Sequence, residues 1–128
     1  MVHMIAWQRV HAATLELVGS ASIKQRLNAA YSNQLQYLTL LDLPEELRPR
    51  FQQLSDSLQT VRPLPGETPV QATVRKMSPA EADRCAAGIV ELLGEIAEWA
   101  RVQGAPVRAP RERRDSQETV VPLFAAEA

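Results

Sequence analysis

Serine, proline, alanine and glutamate at positions 78–81 open a helix, and no other run in the chain constrains its fold as strongly. Ser78 is spaced to accept an early backbone N–H, Glu81 to reach back to the N–H of Ser78, and Pro79 takes a first-turn position whose N–H would have no helical partner. Met77, just outside, is placed to staple against Ala82. Behind this start Cys85, Ala86, Ile89, Leu92, Leu93, Ile96 and Trp99 recur at spacings of three and four, with Glu91, Glu95, Glu98 and Arg101 on the other side. The acidic start at Glu81 and Asp83 and the basic end at Arg101 suit the helix dipole, and Gly104 with Pro106 ends the run. An apolar stripe this long has to be covered by other helices.

Three further segments supply them. Residues 4–18 place Trp7, Val10, Thr14, Leu17 and Val18 on one side at helical spacing, and Gly19 is a stop. From Ser22 the pattern restarts with Ile23, Leu27, Ala30, Tyr31, Leu35, Leu38 and Leu41 inward, and Lys24, Asn28, Ser32 and Gln36 outward. Asp42 and Glu45 have capping-box spacing around Pro44, and a third helix continues through Leu47, Phe51, Leu54, Leu58 and Val61. Pro49 predicts either a kink or a short turn of helix before the main one. Residues 61–77 read as a proline-rich, non-helical connection. Within it Val70, Ala72 and Val74 alternate with Gln71, Thr73 and Arg75 at the period of a strand. With no second strand to pair, the segment is expected to lie extended across the bundle, Val70 and Val74 inward, or to pair with its own copy in a homodimer. The expected fold is all-α: a four-helix bundle or orthogonal helical array with one long extended loop, a helical domain over 1–104 and a mobile, flexible tail over 105–128.

Fourteen basic side chains against fifteen acidic ones, a formal charge of -1 over 128 residues, give no whole-molecule field to attract nucleic acid or an anionic membrane. The length fits one domain. The single Cys85 has no partner for an internal disulfide and reads as a small core residue, which suits the reducing cytoplasm. Arg9, Glu16 and two histidines interrupt the apolar residues at the start, so neither a signal peptide nor a membrane-spanning run is expected.

Little in the chain points to catalysis. His3 and His11 share a helix face but sit two turns apart, about 12 Å by helical rise, too far for one metal ion. Glu91 and Glu95 stand one turn apart without the Glu-x-x-His pairs a di-metal site would need, and read as a solvated acidic face. The Cys85 helix carries no histidine. No catalytic residue, metal ligand or cofactor is expected. Cations are the more informative group: Arg48, Arg50, Arg62, Arg75 and Lys76 outnumber Asp56 and Glu67 over residues 48–76. Internal pairing with Glu91, Glu95 or Glu98 is the favoured reading; the functional one is a site for phosphate, a nucleic-acid backbone or an acidic partner. Phe51 is the one aromatic residue of the segment and belongs to the apolar stripe of the third helix, so aromatic interleaving for base stacking is absent. The apolar group Val120, Val121, Leu123 and Phe124 in the tail reads either as a docking motif or as an end without a role. Candidate interaction residues are therefore Arg62, Thr73, Arg75 and Lys76, with Leu123 and Phe124 in the tail.

The runs DLPEELRPRF at 42–51 and ATVRKMSPAEA at 72–82 resemble a group of short, uncharacterised helical bacterial proteins with no assigned activity, over roughly residues 23–96. The resemblance implies a bacterial cytoplasmic setting and carries no site residues. The expected function is a small non-enzymatic protein-interaction or regulatory module with a protein partner and no membrane partner. A nucleic-acid-contacting regulator using a local basic patch is the alternative.

Overall fold

A computed structural model describes residues 2–103. Over them the chain forms α1 (Val2–Leu17), α2 (Ile23–Asn33), α3 (Arg48–Ser57), α4 (Pro69–Lys76) and α5 (Pro79–Gln103), with 3-10 turns at Leu35–Tyr37, Leu40–Asp42 and Glu45–Leu47. The fold is all-α, and no strand occurs among the described residues. The chain divides into two units, Met1–Ile96 and Ala97–Ala128. The expected tail, with Leu123 and Phe124, lies outside the described residues.

In the first unit the core gathers Val10 and Leu17 of α1, Leu27 and Tyr31 of α2, Phe51 and Leu54 of α3, Val70 and Val74 of α4, and Ile89, Leu92 and Ile96 of α5. α1 lies against α2. It buries Ala6, Val10, Ala13 and Leu17, whereas Trp7 is 37% and Val18 73% exposed. The expected inward face of α1 was thus off by part of a turn, because alanine at the contact lets two helices approach more closely than tryptophan would. Trp7 instead stacks on His11, with ring centroids 4.6 Å apart. Arg26 of α2 donates to the carbonyls of Leu17 and Ala21 and so satisfies the open end of α1.

α2 begins at a capping box between Ser22 and Gln25. It was expected to run to Leu41 but stops at Asn33. Beyond it, Thr39 donates from both its backbone N–H and its hydroxyl to Asp42, at 2.9 and 3.0 Å, a local closure that competes with the helical ladder. Leu35, Leu38 and Leu43 still reach the core from the 3-10 turns, while Leu41 is 74% exposed. Asp42 therefore bonds back to Thr39 rather than opening the third helix with Glu45. Pro49 takes the first turn of α3, behind the separate turn at Glu45–Leu47, which is the short-turn form of the expected break.

The largest correction concerns residues 61–77. Pro65 and Gly66 form a tight turn closed by Glu67 N–H to Leu64 O at 2.9 Å, with Gly66 at φ 80°, the left-handed value a type II turn needs at its third residue. Thr68 and Gln71 then cap each other reciprocally, Pro69 sits in the first turn, and α4 follows. The extended segment with strand alternation is a helix, and the strand-edge route to a homodimer has no strand. At the start of α5 the expected box is present: Glu81 N–H donates to Ser78 Oγ at 3.1 Å and Ser78 N–H to Glu81 Oε1 at 2.8 Å. Met77 and Ala82 both join the core, as the staple requires.

A groove lined by cations from three helices

α3, the link after it, the end of α4 and the first turns of α5 enclose an open groove of about 520 Å³. Arg50, Gln53, Leu54 and Ser57 line it from α3, Thr60 and Val61 from the link, Thr73, Lys76 and Met77 from α4 and its cap, and Glu81, Arg84 and Cys85 from α5. Helical spacing explains the grouping. Glu81, Arg84 and Cys85 stand three and four residues apart on one face, as do Arg50, Leu54 and Ser57, while Thr73 and Lys76 share a face of α4 and Met77 follows at its extended cap.

Each wall is fixed by bonds within the protein. Thr73, 4% exposed, donates its hydroxyl to Pro69 O at 2.8 Å and accepts the N–H of Val61 at 2.9 Å, tying the link to α4. Lys24 of α2 donates to Arg75 O at the end of α4. Arg50 reaches from α3 to Glu95 at 2.7 Å and Glu91 at 2.8 Å on α5. Where these helices meet, a Cβ added at Gly88 would stand 3.4 Å from Leu54 Cδ1.

The groove's acid and thiol are both held back from chemistry. Glu81 has its carboxyl held below the usual range, first by the backbone N–H of Ser78, and is committed to that cap. Burial pushes the Cys85 thiol up, against a smaller opposing effect from its bond with Ser57, so the sulfur stays protonated at neutral pH and is a poor nucleophile. Lys76 and Arg84 remain as exposed cations that form no ion pair among the described residues.

The five expected cations do not form one patch. Arg48 donates to the carbonyls of Leu40 and Leu43 and Arg50 is spent on Glu91 and Glu95, the internal pairing that the sequence favoured. Glu95 is accordingly a cross-helix partner rather than a purely solvated acid. Arg75 turns to Glu67, with bonds of 2.8 and 3.0 Å, and that contact above all holds the Glu67 carboxyl down to about 2. Arg62 is exposed and does not line the groove. Thr73 lines the groove but is a buried structural tie rather than a surface contact residue. Of the exposed interaction residues proposed within 61–77, Lys76 alone lines the groove.

Arg84 was missed by sequence reading. Its signal was its place three residues after Glu81, which puts it on the groove face once the cap at Ser78 is fixed. His3 lies with Nδ1 3.1 Å from Asp42 O, and His11 is stacked on Trp7, so the two histidines serve different local contacts. No described helix is long and apolar enough to cross a membrane.

Comparison with known protein families, curated proteins and solved structures finds no match to this chain.

Proposed function

We propose that the chain is a small, non-enzymatic, cytoplasmic interaction module that takes part of a partner into the groove between α3, α4 and α5, and that it belongs with the bacterial proteins its 42–51 and 72–82 runs resemble. The observation that carries the reading is the pairing of Lys76 and Arg84: two cations from different helices line one groove, and neither is neutralised by an ion pair within the described residues. Charges placed this way act mainly on encounter and selectivity, which is what a recognition surface needs. The groove's thiol and carboxyl, both held from reaction, also weigh against catalysis there.

Gln53 is exposed at the groove wall, so Gln53→Trp fills the groove without cutting the core. Affinity capture from the native cell should retain a protein partner after nuclease treatment, and Gln53→Trp should lose it while melting as the parent does. Capture that persists in Gln53→Trp sinks the groove as the contact site. Capture abolished by nuclease would favour the nucleic-acid alternative.

A further inference from the structure

Resting on that reading, we infer that the groove's ligand is an acidic, aliphatic segment of a partner protein, with carboxylates between Lys76 and Arg84 and an aliphatic side chain against Leu54, Val61 and Met77. The charge argument comes first. The groove presents Arg50, Lys76 and Arg84 against Glu81; Arg50 already holds two acids from α5, and Lys76 and Arg84 carry the remaining positive charge, offset in part by Glu81, whose carboxylate Arg84 favours. Two exposed cations of this kind gain most from carboxylate or phosphate oxygens. The floor then selects between those. Val61, with the edges of the largely buried Leu54 and Met77, gives the groove an apolar floor that a bare phosphate leaves unused, and a volume of about 520 Å³ is far larger than one such ion fills. A nucleic-acid strand held by its bases would need a stacking platform, and the lining contains no aromatic residue. A segment mixing glutamate or aspartate with leucine-like side chains uses both the cations and the floor.

The test measures fluorescence anisotropy of the full chain with three labelled probes: a short peptide of Glu-Glu-Leu repeats, its Gln-Gln-Leu counterpart, and a mixed-sequence single strand of DNA. The Glu-Glu-Leu peptide should bind most tightly, weaken as salt rises, and lose about tenfold or more with Lys76→Gln and Arg84→Gln combined. The charge-retaining pair Lys76→Arg and Arg84→Lys should restore most of the binding, which separates loss of charge from damage to the helices. Equal binding of the glutamine peptide, no effect of the double variant, or tighter binding of the DNA would each overturn the inference. Gln53→Trp keeps the two questions apart: capture of a partner that is lost in Gln53→Trp, with the Glu-Glu-Leu peptide unbound, leaves the interaction module standing and removes only its acidic ligand.

Discussion

Glu67 and Arg75 stand eight positions apart and close on each other in two bonds, one from Nε and one from Nη2 of the guanidinium. The carboxyl that results has its pKa lowered from 4.5 to about 2, chiefly by the Arg75 hydrogen bond and then by the Leu64 N–H. A carboxyl whose pKa falls on folding stabilises the native state above its unfolded pKa and loses that contribution as pH falls through the folded value. The melting temperature of the parent minus that of Glu67→Gln should therefore be constant above about pH 5, shrink toward about pH 2, and not grow on acidification. A gap that widened in acid would show that the pair is not formed. Pairing at this range was hidden in the sequence. Arg75 and Glu67 are brought together by a turn at Gly66 and a helix after it, so a reading that left 61–77 extended could count both charges but could not join them. The same holds for Thr73, which looked like a surface threonine and proves to be the buried bond between Val61 and Pro69.

The short helices show what local grammar could and could not deliver. Ser78, Pro79 and Glu81 were legible because a long apolar stripe followed them. Thr68, Pro69 and Gln71 carry the same arrangement, threonine for serine and glutamine for glutamate, yet the eight residues of α4 give barely two turns in which to see a period. Val70, Ala72, Thr73 and Val74 are all buried, so the helix is apolar over more than one face and its residues mimic the alternation of a strand. α1 failed differently: exposed Met4, Ile5, Trp7 and Leu15 put apolar residues on more than one face, and periodicity could not choose between Trp7 and Ala6 as the contact. α4 is too short to be stable by propensity alone. Thr68→Ala should accordingly cost about 0.5–2 kcal/mol in chemical denaturation, and Thr68→Asp should be tolerated. No loss with alanine would mean that packing of Val70 and Val74 holds α4 without its cap.

Across the first unit, α3 meets α5 in two ways, through Leu54 in the core and through Arg50 on the surface. Magnitudes decide which matters. Surface ion pairs contribute about 0.2–1 kcal/mol, whereas truncating a core leucine costs about 2–5 kcal/mol. Leu54→Ala should thus lower stability several times more than Arg50→Ala when both are measured by chemical denaturation. Comparable losses would show that the charged contact, not packing, joins these helices. The layout of helices around one core was legible in the sequence because each stripe states its own need for cover. The groove was not, since it exists only where the link after α3, the end of α4 and the start of α5 come together. Its link wall is tied through Thr73, whose hydroxyl holds Val61 and the first turn of α4 at once. A ligand entering beside that wall meets a shape already set, so stopped-flow association should show one phase whose rate rises linearly with ligand concentration, without the plateau of a slow opening step.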